Sequence, residues 1–222
     1  MAGTIFARHF ENALLWFFPR RCAFCGGVTE PHAALCADCQ ATAEEDFGAQ
    51  AMDGVISCFA YRSPARRGFA HLKFEGRRAL APSIGRTMAE AFLQASPGAA
   101  ADVLVCCVPM TPAQLRDRGY NQSLLLARFA ARNLTAVFAP SLLRKTRETG
   151  TQHGLPARER EKNVRGAFAA ESTAAGKRIL LCDDVVTTGA TLHACKTALL
   201  EAGAAQVMLL TYLYTVKTAH DA

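Results

Sequence analysis

Long hydrophobic runs are missing from this sequence. The longest early apolar stretch, Ala13 to Phe18, has six residues, whereas a helix that spans a bilayer needs about 20. The stretch is also too short for the hydrophobic region of a secretory signal peptide, and no small-residue cleavage site follows it. We therefore expect no membrane span and no secretory leader. We expect this stretch to pack a short helix onto the protein, with an interfacial membrane helix as the alternative.

Aromatic residues are also scarce, at 8%, and there is neither an internal repeat nor a low-complexity run. Half of the 222 residues are hydrophobic and a fifth are charged, a composition that fits a globular protein and excludes wholesale disorder. Lys and Arg exceed Asp and Glu by six. This mild basicity suits an anionic ligand such as a phosphate or a nucleic acid, and it identifies neither.

Cysteine is abundant, with nine residues. An odd number of cysteines without a secretory signal argues against a disulfide framework and for a reducing compartment, so we expect a cytoplasmic protein. Five of the cysteines lie mostly in apolar runs and are expected to be buried thiols: Cys58, Cys106, Cys107, Cys182 and Cys195.

The other four form two C-x2-C pairs, Cys22/Cys25 and Cys36/Cys39, with ten residues between the pairs. Two such pairs can present four thiolates to one zinc ion, and four sulfur ligands leave no open position for catalysis. The spacing therefore predicts a small zinc ribbon with a structural Zn²⁺. Two redox-active pairs are the alternative. We assign residues 1–50 to an N-terminal helix and this four-cysteine head, and residues 51–222 to a second domain.

Strand-like and helix-like segments alternate after the head, which predicts an α/β fold with a parallel sheet flanked by helices. The predicted strands are Val55–Tyr61, Val103–Val108, Ile179–Cys182 and Val207–Tyr214. Helical spacing is found around Ile84 to Phe92, over Leu124–Leu134, and in a face formed by Leu192, Cys195, Leu199 and Leu200. Ligands of open parallel sheets bind at the carboxyl ends of strands. We therefore expect the chemistry in the loops after Val108 and after Cys182.

The strongest signal follows Cys182, where Asp183 and Asp184 precede a turn rich in hydroxyl groups. Backbone N–H groups at the start of a helix favour a phosphate. Adjacent carboxylates are costly unless they accept hydrogen bonds from diol hydroxyls or lie beside a cation. The pattern predicts a sugar-phosphate site in which the acids bind ribose hydroxyls. The predicted phosphate-binding residues are Val185, Val186, Thr187, Thr188, Gly189, Ala190 and Thr191.

This stretch resembles the phosphoribosyl pyrophosphate (PRPP) motif of type I phosphoribosyltransferases. Together with the four-cysteine head and the segment Arg118-Gly-Tyr-Asn-Gln122, it resembles the ComF family. The resemblance implies the type I phosphoribosyltransferase fold, binding of PRPP with Mg²⁺, and a link to natural competence and DNA uptake. It also implies a DNA helicase or recombination mediator as partner. It does not indicate the acceptor of the phosphoribosyl group.

Phosphoribosyltransferases have further loops that contact the pyrophosphate, and the resemblance implies candidates for them here. Pro109 to Thr111, followed by Arg116 and Arg118, is the candidate for the pyrophosphate loop, although both arginines could simply be solvated. Residues 144–168 resemble the mobile flap of the superfamily, and closing its basic groups over pyrophosphate would exclude water. A solvated loop is the alternative. The candidate contacts are Lys73, Pro109, Arg116, Arg118, Arg144, Lys145 and Gln152.

A second basic segment supports a different function class. Six cations between Arg62 and Arg78 are interleaved with Phe69 and Phe74, and Glu75 is the one acid among them. Such a patch could bind single-stranded DNA through phosphates and stacked bases, or it could be a solvated surface over core phenylalanines. Two hypotheses follow: an enzyme that transfers phosphoribosyl to a nitrogen nucleophile, or a non-catalytic module that binds PRPP or ribose 5-phosphate and single-stranded DNA.

Overall fold

The structure is a computed structural model that describes residues 21–30, 33–43, 54–61, 64–149 and 157–215. Its larger sheet is entirely parallel, with the strand order β1-β7-β6-β2-β3. These strands are β1 (Val55–Ala60), β2 (Val103–Cys107), β3 (Val137–Phe138), β6 (Arg178–Val186) and β7 (Gln206–Tyr214). A second, antiparallel pair consists of β4 (Leu143–Lys145) and β5 (Phe168–Ala170). The predicted parallel sheet is confirmed.

Seven α-helices accompany the strands in the part of the chain that is described. They are α1 (Ala37–Ala43), α2 (Ala65–Phe74), α3 (Ala81–Ala95), α4 (Pro112–Arg118), α5 (Gln122–Leu134), α6 (Ala157–Val164) and α7 (Ala190–Glu201). Two 3₁₀ turns span Arg78–Leu80 and Ser172–Ala174. None of the described helices has the length and apolar character needed to cross a bilayer. The predicted helix over Ala13 to Phe18 lies outside the described residues.

Side chains along β6 point alternately to the two faces of the sheet, and each face has its own hydrophobic core. Leu180 and Cys182 face the core that α3 and α5 cover, whereas Ile179 and Leu181 face the core that α7 covers. Side chains of a strand alternate between faces, so a strand that is apolar throughout must be covered on both. The helix predicted around Leu192 to Leu200 is present as α7, but the placement of Leu200 on its buried face is wrong. Leu200 is 45% exposed, because it follows Leu199 directly and is therefore rotated by about 100° away from the buried face.

Helices α3 and α5 approach each other closely at Gly85. A Cβ atom at this position would lie 2.5 Å from the Cβ of Phe129 and 3.0 Å from the carbonyl oxygen of Leu126. Real side chains do not tolerate such distances, so the glycine sets the separation of the two helices. Since α5 also carries residues to the carboxyl ends of the strands, this contact helps to position the functional site.

The cysteine-rich head packs directly on the first core. Phe24 is fully buried, and its ring contacts the Phe59 ring edge-on at a centroid distance of 4.8 Å. The carbonyl oxygen of Ala23 accepts a hydrogen bond from the Tyr212 hydroxyl at 3.5 Å and lies where a side chain at Gly68 would project. The head and the sheet therefore share one core. The predicted boundary after residue 50 lies outside the described residues and stays a prediction.

The four head cysteines form one cluster, with all Sγ atoms within 4.8 Å of one another. The backbone N–H groups of Phe24 and Gly27 donate to the sulfurs of Cys22 and Cys25, each at 3.4 Å. Four convergent thiols with N–H donors fit a tetrahedral zinc site. The cluster therefore supports the predicted structural Zn²⁺. The remaining five cysteines are buried free thiols, as predicted.

We predict that replacing Cys22 and Cys25 together by Ser removes the bound zinc, of which we expect about one ion per chain. Because the head shares the first core, the thermal midpoint should also fall. Metal analysis and thermal unfolding of the same samples test this. The matched control is Cys195→Ala, which removes a buried thiol from the second core and should keep the zinc. A wild-type protein purified without zinc would refute the assignment.

A second prediction concerns Gly85. In an open helix, Gly→Ala stabilises by about 0.5–1 kcal/mol, but here the new methyl group would clash with Phe129 and the α5 backbone. We expect Gly85→Ala to lower the free energy of unfolding by about 1–3 kcal/mol, the usual cost of overpacking a core. Chemical denaturation measures the sign, and a stabilised variant would show that the helices are free to separate.

Candidate functional site

A cleft of about 560 Å³ lies at the carboxyl ends of the parallel strands. The segment after β2, the end of β6 and the residues after β7 and β1 all contribute to its walls. The loops after Val108 and after Cys182 therefore meet at one site, because parallel strands end at the same edge of a sheet.

Asp183 and Asp184 lie in β6 itself, which continues to Val186 because β7 pairs with it as far as Tyr214. Asp183 Oδ1 accepts a hydrogen bond from the Ser123 hydroxyl at 2.7 Å and one from the Asp184 N–H at 2.9 Å. Asp184 Oδ1 accepts from the N–H of Val185 at 2.7 Å. Both carboxylates line the cleft. The prediction that the strand ends at Cys182 is wrong.

The environment of the two acids raises the pKa of both. Burial and the neighbouring Asp184 raise the pKa of Asp183 to about 7, although the Ser123 hydroxyl opposes this shift. Burial also raises the pKa of Asp184, while the positive charges of Lys73 and Arg118 act to lower it. The cations thus lie near the acids, and the site can change its charge at neutral pH.

The turn after β6 presents backbone N–H groups at the start of α7. Gly189 has a left-handed backbone with φ of +78°, and a Cβ there would lie 3.2 Å from Nε2 of His193. Thr188 Oγ1 accepts a hydrogen bond from the N–H of Ala190 at 3.4 Å. All five residues from Thr187 to Thr191 line the cleft, so this helix start is available to an anion. His193 packs on this turn.

Val185 and Val186 differ from the turn residues because their side chains pack into the hydrophobic cores. Both line the cleft, but the side chain of Val186 is buried in the second core and that of Val185 packs against the first. Any contact that they make with a phosphate is therefore through the backbone. Their predicted role in phosphate binding stays a prediction.

The segment after β2 forms the opposite wall. Pro109 and Met110 line the cleft, and Thr111 caps α4 with reciprocal hydrogen bonds to Gln114. Asn121 caps α5 and donates to the carbonyl oxygen of Val108 at 3.0 Å. This bond ties the wall to the helix whose Ser123 contacts Asp183.

The predicted pyrophosphate and flap residues divide into three groups. Lys73, Pro109, Arg118 and Lys145 line the cleft. Arg116 is exposed, and Arg144 lies near Glu171 with a separation of 3.6 Å between Nε and Oε1; neither lines the cleft. Gln152 lies outside the described residues.

Lys145 brings β4 to the cleft wall formed by α4. Its ammonium group donates to Thr149 Oγ1 at 2.8 Å and to Gln114 Oε1 at 3.3 Å. Burial lowers the pKa of Lys145, and the charge of Glu148 opposes that shift. Glu148 in turn accepts a hydrogen bond from the Thr111 hydroxyl. The described part of residues 144–168 therefore already contacts the candidate pyrophosphate loop.

Sequence reasoning missed Ser123 and Gln114. Both are small or neutral polar residues without a motif, and their roles depend on which strand end lies opposite them. The signal available for Ser123 was its position at the start of a helix, directly after the segment Arg118–Gln122.

Two domain families match the chain. Residues 121–220 match the Phosphoribosyl transferase domain, and residues 13–50 match the Double zinc ribbon domain. The first match contains β6, both acids and the turn before α7, and the second contains the four clustered cysteines. The chain therefore has the type I phosphoribosyltransferase fold with an N-terminal zinc ribbon, as the sequence resemblance implied.

Relatives with similar sequences cover most of the chain. DNA utilization protein YhgH of Salmonella typhi is 33% identical over 157 residues, which are 70% of this chain and 69% of that protein. YhgH of Escherichia coli K12 is 29% identical over 85% of this chain and 87% of its own. Competence protein F of Haemophilus influenzae is 24% identical over 85% of this chain and 82% of its own. With these relatives and both domains, the chain belongs to the ComF family.

Proposed function

We propose that the cleft binds PRPP with Mg²⁺ and that the protein transfers the phosphoribosyl group to a nitrogen nucleophile, releasing pyrophosphate. One observation carries the proposal: Asp183 and Asp184 lie beside the first residues of α7, in a cleft that Lys73, Arg118 and Lys145 also line. A sugar phosphate with a second anionic group needs this combination of hydroxyl acceptors, amide donors and cations.

Each part of the cleft has a separate task in this proposal. The carboxylates of Asp183 and Asp184 would accept hydrogen bonds from the ribose hydroxyls, and the N–H groups from Thr187 to Thr191 would bind the 5-phosphate. Arg118 and Lys145 would face the pyrophosphate. The acids offer the oxygen donors that magnesium prefers, and the bound ion would stabilise charge between pyrophosphate and ribose.

Catalysis would depend on positioning and electrostatics, because the transition state of such a transfer is oxocarbenium-like. The protein would hold the ribose through its hydroxyl groups and place positive charge beside the pyrophosphate leaving group. Lys145 already donates to Gln114 of α4, so placing its ammonium group beside the ligand would cost little further order. Excluding water there would strengthen each of these interactions.

A second candidate function is that the protein binds the same ligand without catalysing a reaction. The relatives are named for DNA utilization and competence, and a fold alone does not establish catalysis. In this version the cleft binds PRPP or ribose 5-phosphate, and the protein acts on single-stranded DNA during transformation. We place either activity in the cytoplasm, with the DNA-uptake machinery, including a helicase or recombination mediator, as partner.

The first prediction of this proposal concerns the two acids. Asp183→Asn with Asp184→Asn should weaken PRPP binding by a hundredfold or more, because hydrogen bonds to charged groups contribute about 1.5–3 kcal/mol each. Calorimetric titration with PRPP and Mg²⁺ measures this. The matched control replaces two exposed acids, Asp117→Asn with Glu201→Gln, and should bind as the wild type does.

A pyrophosphate-release assay on the same wild-type sample separates the two candidates. Nucleobases, small amines and single-stranded oligonucleotides are offered as acceptors. Binding with release supports the transferase, and binding without release from any of them supports the non-catalytic module. A wild-type protein that does not bind PRPP with Mg²⁺ contradicts both.

The second prediction concerns pH. Ribose hydroxyls donate to a carboxylate, so PRPP affinity should rise as the pH increases through the Asp183 pKa of about 7 and then level off. Ser123→Ala removes a donor to that carboxylate, which raises the pKa further. We expect the midpoint of the affinity profile to move about one to two pH units higher, in line with a charged hydrogen bond.

Two variants control this experiment. Ser123→Thr keeps the hydroxyl and should keep the wild-type midpoint, whereas Asp183→Asn removes the titration of Asp183 and leaves those of Asp184 and of PRPP itself. If Ser123→Ala and the wild type have the same midpoint, Asp183 does not control binding through its charge.

A further inference from the structure

One end of the cleft is not used by the proposed PRPP contacts. In the strand order β1-β7-β6-β2, the acids of β6 lie between the β2 side of the cleft and the side formed by β7 and β1. The β2 side carries Pro109 and Met110, the candidates for the pyrophosphate. The β7 and β1 side ends in Thr215 and Tyr61, which also line the cleft. With PRPP bound, this second side is where another group can approach the ribose.

The backbone of Tyr61 is fixed at that end of the cleft. Its backbone N–H donates to the carbonyl oxygen of Tyr214 at 2.6 Å, so β1 and β7 fix its position. The guanidinium carbon of Arg66 lies 5.4 Å from the centre of the ring. The residue is half-buried. A fixed aromatic ring beside a cation suits a planar heterocycle, because stacking and cation–π contacts combine there.

The outer side of α2 continues this surface away from the cleft. Lys73 lines the cleft, and its ammonium lies 5.4 Å from the Phe69 ring and 5.5 Å from the Phe74 ring. Phe74 is 74% exposed, and Arg66 and Arg67 are exposed on the same helix. An exposed aromatic ring among cations can contact a ligand that has both flat and anionic parts.

The segment that carries these cations contains little negative charge of its own. Glu75 is the one carboxylate between residues 61 and 80. It contacts Nδ1 of His71 at 2.7 Å and Nε of Arg77 at 2.9 Å. Glu75 is engaged at its own end of the helix, and among the described residues no acidic side chain is paired with the exposed Arg66 or Arg67.

The helix that carries this surface is anchored on both sides. Gly68 lies against the Ala23 carbonyl of the zinc head, so close that no Cβ would fit. The Tyr120 hydroxyl donates to the carbonyl oxygen of Leu72. The set of cations and aromatic rings on α2 is therefore pre-ordered, which lowers the entropy lost when a ligand binds.

We infer that the outer face of α2 and the β1–β7 end of the cleft form one binding surface for a single-stranded polynucleotide. Bases stack on Phe74 and Tyr61, and phosphates contact Arg66 and Arg67. A duplex does not fit because its bases are already stacked and unavailable to the rings. An acidic peptide would use the cations but not the rings. The place of a base beside the ribose rests on the proposed function, since it assumes that PRPP fills the remaining cleft.

The test uses a single-stranded oligonucleotide that contains 2-aminopurine, whose fluorescence falls when the base stacks. Anisotropy gives the affinity and quenching gives the stacking, each with and without PRPP and Mg²⁺. The variants are Tyr61→Ala, Phe74→Ala and the pair Arg66→Ala with Arg67→Ala. The control pair, Arg128→Ala with Lys177→Ala, removes two exposed charges elsewhere. Tyr61→Phe keeps the ring.

Tyr61→Ala and Phe74→Ala should each lower the affinity about fivefold to a hundredfold and reduce the quenching, as expected for one lost base–aromatic stack. Tyr61→Phe and the control pair should behave as the wild type. Loss of Arg66 and Arg67 should reduce the slope of log affinity against log salt by about 1.4. PRPP should bind together with the oligonucleotide and should not displace it.

Three results would overturn the inference: no binding of the oligonucleotide, equal or tighter binding of the matching duplex or of a poly-Glu peptide, or unchanged quenching in both ring variants. The calorimetric PRPP titration of the same variants separates this failure from failure of the proposed function. A protein that binds PRPP but no single strand keeps the proposed function and loses this inference. A protein that binds the strand but no PRPP loses the proposed function and the place of a base beside the ribose.

Discussion

Two adjacent carboxylates at the end of a strand that is covered on both faces are the constraint on which the site depends. Burial raises the pKa of both Asp183 and Asp184 and so disfavours their charged forms. A hydroxyl from α5, two backbone N–H groups and the charges of Lys73 and Arg118 counter that cost. The helices around β6 are therefore arranged to hold a pair of acids that can ionise, and the proposed ligand, with hydroxyl groups and anionic ends, would complete the balance of charge.

The zinc head and the turn before α5 hold the site in place. The zinc head supplies the carbonyl of Ala23, against which α2 packs at Gly68. The turn before α5 links the same helix to the cleft: Tyr120 contacts the Leu72 carbonyl, and Asn121 holds the end of β2. The zinc ribbon can thus affect ligand binding even though its zinc has only a structural role, because α2, which packs on the ribbon, carries Lys73 into the cleft.

The sequence predicted most of the fold, since apolar strands alternating with helices permit few arrangements. It also predicted that the acids and the turn before α7 lie at a strand end. It placed the end of β6 too early, because the length of a strand depends on its partner, and β7 supports pairing as far as Val186. The positions of Arg116 and Arg144 could not be predicted, since a basic residue in a polar segment can face either the cleft or the solvent.

The most direct test of the account is a crystal structure of the protein with PRPP and Mg²⁺. The account predicts the 5-phosphate on the N–H groups from Thr187 to Thr191 and the ribose hydroxyls on Asp183 and Asp184. It also predicts the pyrophosphate on the side of Arg118 and Lys145. A 5-phosphate bound away from this turn, or a ribose that does not contact either acid, would contradict it.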